Sequence, residues 1–357
     1  MARLALIGLP NVGKTTLFNA LTGLEAPTAA HPFSTTDPNV GVARIPDARL
    51  ERAAEVEQSA KVVYATLDLL DLPAMSPGGT SFAAQFIGRL REMDAVVAVL
   101  RAFEDEAVPD AESGVDPVTQ AEALLLELVL ADAEVFSRRA GKAAKEATAD
   151  PSRRSAAASI ARAAELLASG RPLRDAPWGE ADLAAFRDLA PVTLRPSVWV
   201  VNAGEDETAP DRLRASVEAV VPDGDVVVVV SAALEEEAFR LDAVDRKELY
   251  EGLGLGEGAL ARMVQATYRA LGLLSFFTVG PKESHAWTVR AGASAREAAG
   301  KIHSDLERGF IRAEVAPIET VIESGGWDAA KAVGRVRLEG KDYEVAEGDV
   351  IVVRFSV

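Results

Sequence analysis

The sequence of 357 residues contains no cysteine, which excludes a disulfide framework, a zinc site built from thiolates and a thiol redox switch. It also has no apolar run near the roughly 18 residues that a membrane-spanning helix needs. Met1-Ala2-Arg3 leads directly into a short hydrophobic segment, so no signal peptide is predicted. These absences together predict a cytoplasmic protein that does not contact a membrane.

Positive charge is the next shortage. The 38 lysine and arginine residues are outnumbered by 55 aspartate and glutamate residues, which gives a net charge of −17. Such a surface repels phosphate backbones, so the net charge argues against indiscriminate nucleic-acid binding, and no DNA partner is expected. A confined basic patch stays compatible with this total. The apolar content of 48% is typical of a globular protein, and the length allows two or three domains.

The sequence does contain a phosphate-binding loop near its start. Gly8 to Thr15, GLPNVGKT, fits the P-loop pattern G-x-x-x-x-G-K-[ST]. An apolar strand pattern at residues 4–7 precedes it and a helical segment at residues 16–21 follows. The glycines let backbone N–H groups and the helix N-terminus point at phosphate oxygens. Lys14 is placed to reach the β- and γ-phosphates, and the Thr15 hydroxyl is placed to ligate Mg²⁺.

Strand-like and helical segments alternate after this loop. Apolar runs typical of buried parallel strands occur at residues 62–70, 94–100, 197–201 and 226–230. With a closing helical pattern at residues 258–272, this alternation predicts a P-loop α/β domain with a mostly parallel sheet over residues 1–272. Residues 273–357 contain short strand patterns and one helix instead. They are predicted to form a separate β-rich, ubiquitin-like module.

Residues 119–189 differ from the rest of the first domain. Alanine, leucine and charged residues dominate, and apolar residues recur at helical spacing from Ala121 to Val135. We therefore predict an arm of two or three long helices inserted in the nucleotide-binding domain. Between Arg138 and Arg174, nine lysines and arginines accompany three aspartates and glutamates, which is a local charge of +6. Helix packing explains the apolar stripe, and the basic residues fit either a solvated face or a docking surface.

Two further segments fit a magnesium site. Residues 31–41 are polar and contain two prolines, and they form a loop where switch I of a GTPase-type fold belongs. Thr35 in this loop would ligate Mg²⁺ and sense the γ-phosphate, although an ordinary loop explains the segment equally well. Asp68 and Asp71 lie at the end of an apolar strand, where a Walker B aspartate contacts the metal ion. The local pattern does not choose between these two carboxylates, and a turn or cap role stays open.

The motifs together resemble one known family along nearly the whole chain. Matching stretches are GLPNVGKTTLFNALTG, HPFSTTDPNVGV, FIGRLREMDAVVAVLRAFED and the final GRVRLEGKDYEVAEGDVIVVRFSV. In type and order they resemble the YchF/Ola subfamily of Obg-related P-loop ATPases, which end in a TGS domain. The resemblance implies a ribosome-associated, Mg²⁺-dependent switch in translation and stress regulation. It would bind and slowly hydrolyse ATP, with GTP less favoured.

The resemblance also implies roles for residues at the phosphate end of the site. Lys14 and Thr35 would be catalytic, and Thr15, Thr35 and, through water, Asp68 would hold the metal ion. Asp68 is preferred to Asp71 because that register of the family's D-x-x-G runs without a gap into FIGRLREMDA.

The base end of the site follows from two loops after neighbouring strands, which parallel strands would place at the same edge of the sheet. Asn202-Ala203-Gly204-Glu205 fits the family's N-x-x-E, and Asn202 would read the base. The full set of predicted nucleotide-binding residues is Asn11, Val12, Gly13, Lys14, Thr15, Thr16, Asn202, Glu205, Ser231, Ala232 and Ala233.

Three departures from the family pattern favour a second hypothesis. Asp71 stands where the chosen register has a glycine that meets the γ-phosphate, residues 75–79 are poor in glycine, and Asp110 replaces a histidine. The alternative function is a nucleotide-gated module that binds ribosomes or RNA and whose hydrolysis is vestigial. A small-molecule kinase would need an acceptor pocket with a general base, and the sequence shows no such constellation.

The implied partner is the ribosome, contacted at large-subunit rRNA through a confined basic surface, because contacts to phosphates are electrostatic. Two parts of the chain carry suitable charges. The arm offers Arg138, Arg139, Lys142, Lys145, Arg153 and Arg154. The C-terminal module offers Lys282, Arg290, Lys301, Arg308 and Arg312. The local charge of +6 favours the arm.

Overall fold

The computed structural model describes residues 2–26, 38–75, 82–105, 115–205, 207–241, 243–253 and 258–356. The strands are β1 Arg3–Gly8, β2 Asn39–Arg44, β3 Val62–Val63, β4 Thr66–Asp71, β5 Ala95–Ala102, β6 Ser197–Ala203, β7 Val226–Val230, β8 Leu273–Thr278, β9 Ser284–Arg290, β10 Phe310–Pro317, β11 Arg337–Glu339 and β12 Asp349–Phe355. The helices are α1 Lys14–Thr22, α2 Ala48–Val56, α3 Phe82–Leu90, α4 Pro117–Ala149, α5 Arg154–Ala168, α6 Glu180–Phe186, α7 Pro210–Glu218, α8 Ala232–Arg240, α9 Ala243–Gly252, α10 Ala259–Ala270, α11 Ala295–Ile302, α12 Ser304–Arg308, α13 Ile318–Ser324 and α14 Trp327–Ala332.

The first sheet has the strand order β2-β4-β1-β5-β6-β7. The pairs β1–β4, β1–β5, β5–β6 and β6–β7 are all parallel. Every residue of β6 is buried, as expected for a strand covered on both faces. The predicted α/β domain with a mostly parallel sheet is therefore confirmed. Because the strands run in one direction, the loops after β1, β4, β6 and β7 lie at a single edge of the sheet.

The predicted helical arm is also confirmed. Its long helix α4 begins at Pro117, where the Asp116 carboxylate accepts hydrogen bonds from the backbone N–H groups of Val118 and Thr119. Helices α4, α5 and α6 then enclose a core of their own that includes Phe136, Ile160 and Phe186. The aromatic rings of Phe136 and Phe186 meet edge to face with centroids 5.3 Å apart. The recurring apolar residues of the arm thus serve helix packing.

The second sheet has the order β11-β10-β12-β8-β9-β3 and packs against a core that includes Phe276, Val289, Val315 and Ile351. The presence of β3 in this sheet was not predicted. Val62 pairs in parallel with Ser284 of β9. Other residues of the segment 42–67 also contact the C-terminal part of the chain. The Arg49 guanidinium, for example, donates to the Glu347 carboxylate at 2.5 Å.

By their internal contacts, residues 42–67 and 264–357 form one compact unit, and residues 2–41 and 68–263 form the other. This division differs from the predicted domains 1–272 and 273–357, because a segment from the early part of the chain completes the C-terminal fold. No helix in the described ranges is both long enough and apolar enough to cross a membrane.

Candidate nucleotide-binding site

The loop between β1 and α1 has the backbone that the P-loop motif predicts. Asn11 and Gly13 both adopt positive φ, at 63° and 83°. A side chain at Gly13 would overlap the Asn202 amide, and a Cβ at Gly8 would lie 2.8 Å from the Val99 carbonyl oxygen. Space therefore requires both glycines of the motif, and Gly13 is required by its backbone conformation as well. Helix α1 begins at Lys14, and Gly13 offers no side-chain cap to its first N–H groups. Such a helix terminus attracts anions.

Lys14 is buried at the base of this loop and forms an ion pair with Asp71 at the end of β4. Burial lowers the pKa of the Lys14 ammonium, and the Asp71 carboxylate opposes that shift. The Asp71 side chain is 3% exposed, and its second oxygen accepts hydrogen bonds from the Thr15 hydroxyl at 3.0 Å and from the Asn39 amide at 3.1 Å. The carboxylate thus gathers the lysine and the threonine that the P-loop motif assigns to phosphates and Mg²⁺.

Lys14 and Thr15 contact Asp71, whereas Asp68 was the carboxylate predicted to hold the metal ion. Asp68 is paired in register with Arg3 near the start of β4, whereas Asp71 is paired with Leu6. The two aspartates are three positions apart in the strand, which separates them by about 10 Å and turns their side chains to opposite faces. If Asp71 is the first residue of D-x-x-G, the glycine position of that motif falls on Ala74.

Asn202 contacts two separate loops of the site. Its side chain is buried, and its amide donates to the Val12 carbonyl at 3.0 Å while its oxygen accepts from the Ala232 N–H at 2.9 Å. Asn202 therefore links the P-loop to the loop that follows β7, and its role in reading the base stays a prediction. That second loop continues into α8, whose first turn is capped by the Ser231 hydroxyl.

Several other predicted residues are exposed or lie outside the described part of the chain. Glu205 is exposed in the turn after β6, and Ala233 is exposed in the first turn of α8. Thr35, Asp110 and the glycines at 78 and 79 lie outside the described residues. Two neighbours of the site were missed. Asn39 belongs to no recognisable motif and simply follows Asp37-Pro38. The Phe103 ring lies beside Gly13, but the apolar strand pattern before it does not show where the residue after the strand will lie.

The donor set at Thr15 and Asp71 fits Mg²⁺. A hydroxyl and a carboxylate lie 3.0 Å apart, and both are hard oxygen ligands. Mg²⁺ typically takes one or two protein oxygens and completes its octahedron with water and substrate phosphates. Consistent with this, the described part of the chain holds no cluster of three or more His, Cys, Asp or Glu side chains that would form an all-protein metal cage.

Two parts of the chain match known protein families. Residues 3–131 match a family described as 50S ribosome-binding GTPase. Residues 273–356 match the C-terminal family of YchF GTPases, which is described as a protein of unknown function.

The similarity extends over the full length of several relatives. The chain is 38% identical over 360 residues to the ribosome-binding ATPase YchF of Bacillus subtilis, covering 99% of this chain and 98% of the relative. It is 32% identical over 367 residues to the Obg-like ATPase 1 of Pongo abelii, covering 99% and 92%. The solved structure of the Schizosaccharomyces pombe YchF GTPase superposes with a TM-score of 0.83 at 26% identity, covering 99% of this chain and 97% of that one. The chain therefore belongs to the YchF family.

Proposed function

We propose that this protein is a ribosome-associated, Mg²⁺-dependent nucleotide switch that binds ATP in preference to GTP and hydrolyses it slowly. The observation that carries the proposal is the convergence of Lys14, Thr15 and Asp71 at a P-loop whose two glycines have no space for a side chain. Relatives named as ribosome-binding ATPases support the choice of nucleotide and partner. A role at the ribosome places the protein in the cytoplasm.

In this proposal the P-loop amides and Lys14 hold the phosphates, and Thr15 and Asp71 hold Mg²⁺. Bound Mg²⁺ would neutralise charge on the β- and γ-phosphates. Thr35 is proposed to complete this set. Lys14 has to exchange the Asp71 carboxylate for phosphate oxygens when the nucleotide enters. With D-x-x-G starting at Asp71, the next residue is Met75, which is buried and carries no group that could orient an attacking water. Turnover by the isolated protein is therefore expected to be far below the roughly 1–100 s⁻¹ of kinases.

The preference for ATP follows from the loop after β6. GTPases use an aspartate at the last position of N-K-x-D to accept two hydrogen bonds from guanine, whereas this chain has Ala203 for the lysine and the longer Glu205. A polar group left poorly paired costs about 1–3 kcal/mol, which is roughly tenfold in affinity. Calorimetric titration should therefore show ATP binding about tenfold more tightly than GTP.

Glu205→Asp should raise the GTP affinity relative to ATP, because it restores the shorter carboxylate that GTPases use to bind guanine. Glu205 is exposed, so shortening it disturbs no packed side chain. Glu218→Asp, at an exposed position of α7, is the matched control and should leave the ratio unchanged. Tighter binding of GTP than ATP by the unmodified protein would contradict the proposed substrate.

A second candidate function remains a nucleotide-gated module with vestigial hydrolysis. It is favoured by Ala74, which replaces the D-x-x-G glycine in the register that starts at Asp71 and puts a methyl group where a bare backbone would approach the γ-phosphate. Single-turnover hydrolysis with and without ribosomes separates the two functions. A rate that ribosomes raise supports the ATPase, and an absence of cleavage in both cases supports the binding module.

The basic surface proposed for ribosome docking is smaller than the sequence suggested. Arg138 pairs with Glu134, and Arg139 and Arg153 both pair with Glu146. Of the six arm cations predicted to dock, Lys142, Lys145 and Arg154 are exposed and have no ion pair to a described residue. In the C-terminal unit the exposed Arg308 is paired with Asp305, whereas Lys282, Arg290, Lys301 and Arg312 are exposed.

Reversing Lys142, Lys145 and Arg154 to glutamate should weaken co-sedimentation with ribosomes across a salt series. Each lost phosphate contact lowers the slope of log affinity against log salt by about 0.7–0.9, so three contacts should flatten it by about 2. The control reverses the exposed Arg212, Arg214 and Arg240, which gives the same change in net charge. If the arm variant pellets as well as the control at every salt concentration, the arm is not the docking surface.

A further inference from the structure

The Asp71 carboxylate receives three side-chain donors at the end of β4. Lys14 contacts one oxygen, and the Thr15 hydroxyl and the Asn39 amide contact the other at 3.0 Å and 3.1 Å. Asp71 is 3% exposed, so each of these donors offsets part of the free-energy cost of burying its charge. The three donors differ in what else they are needed for.

Lys14 and Thr15 both have a second role once a nucleotide is present. In the proposed function the Lys14 ammonium moves to phosphate oxygens, and the Thr15 hydroxyl turns to the metal ion. Asn39 has no such role, since it stands outside the P-loop at the first position of β2, the strand next to β4. Its hydrogen bond is therefore the one of the three that the loaded site does not require for another purpose.

We infer that Asn39 is a positioning residue of the magnesium site, an inference that rests on the proposed function. Its amide N–H fixes the orientation of the Asp71 carboxylate, so that one oxygen stays directed at Thr15 when Lys14 leaves. Hydrogen bonds of this kind to a metal-binding carboxylate set its orientation and affect metal affinity. An amide suits the position because it donates without adding a charge, whereas an aspartate would place a second carboxylate against Asp71.

The test measures metal binding directly and not turnover. Mn²⁺ is titrated into the ADP complex of the full-length protein and followed by electron paramagnetic resonance, and ADP affinity is measured separately in EDTA. Asn39→Ala removes the donor, and Asn39→Leu removes it while keeping the volume. A hydrogen bond to a charged group is worth about tenfold or more in an equilibrium. Both variants should therefore need about tenfold more Mn²⁺ for half-saturation, with ADP affinity in EDTA unchanged within about twofold.

Asn19→Ala is the matched control, because the buried Asn19 amide bonds the backbone of Ala26 and makes no contact with Asp71. It should lower the melting temperature and leave Mn²⁺ affinity unchanged. Asn39→Gln, which keeps an amide donor, should recover part of the affinity. Unchanged Mn²⁺ half-saturation in either donor-free variant, with or without a lower melting temperature, would overturn the inference. Failure of the unmodified protein to bind ADP would instead overturn the proposed function.

Discussion

Replacing Lys14 with alanine is expected to lower the affinity for ATP about 100-fold or more. Truncating one partner of a buried, hydrogen-bonded charge pair typically costs about 2–5 kcal/mol of binding free energy. The loss has two sources here. The phosphates lose the ammonium group, and the buried Asp71 carboxylate is left without its ion-pair partner at the place where negative phosphates must bind.

The same substitution should also destabilise the folded protein. Removing one member of a buried ion pair typically costs about 3–5 kcal/mol, because the other charge stays buried and uncompensated. The double variant Lys14→Ala, Asp71→Asn removes that charge, so it should regain much of the free energy of unfolding without regaining ATP affinity. Chemical denaturation and calorimetry measure the two quantities separately. ATP binding or turnover that survives Lys14→Ala would point to a different nucleotide site.

Gly13→Ala should abolish nucleotide binding at a position that carries no functional side chain. The backbone of Gly13 has φ 83°, and this left-handed conformation alone costs about 1–2 kcal/mol for a residue with a Cβ. The added methyl group would also overlap the Asn202 amide. Relief of that overlap requires the loop or Asn202 to move, which breaks the hydrogen bond from Asn202 to Val12 and misdirects the phosphate-binding amides.

The control for this prediction is Gly141→Ala in the middle of α4. Gly141 has an ordinary helical backbone, and an added Cβ would meet no atom within 4 Å. Alanine there should stabilise the protein by about 0.5–1 kcal/mol and leave ATP affinity unchanged. Thermal unfolding and ATP titration of both variants make the comparison. Normal ATP binding by Gly13→Ala would show that the loop accommodates phosphate in another conformation.

The P-loop could be predicted from the sequence because its chemistry is contiguous. Gly8, Gly13, Lys14 and Thr15 lie within eight residues, and the conformation that brings them together is set by local sterics and by the start of α1. The helical arm could be predicted for a similar reason, since the spacing of its apolar residues already specifies which face of α4 is buried. The parallel sheet followed from the alternation of strands and helices.

The choice between Asp68 and Asp71 could not be made in the same way. Both carboxylates occupy one short strand, and only the register of β4 against β1 decides which of them reaches Lys14. A gap-free match to a family pattern gave Asp68 the preference, whereas the hydrogen bonds of the folded site belong to Asp71. Register is a property of two strands together and is not written in either one alone.

The sequence by itself therefore determined the phosphate loop, the α/β architecture and the helical arm, because local patterns encode them. Tertiary structure alone decided which side chains share a contact when they lie far apart in the chain. It brought Asn39 to Asp71, used Asn202 to join Val12 to Ala232, and paired Val62 with Ser284. Each of these contacts joins segments that are far apart in the chain. Its free energy depends on both segments, so the pattern of either one alone cannot predict it.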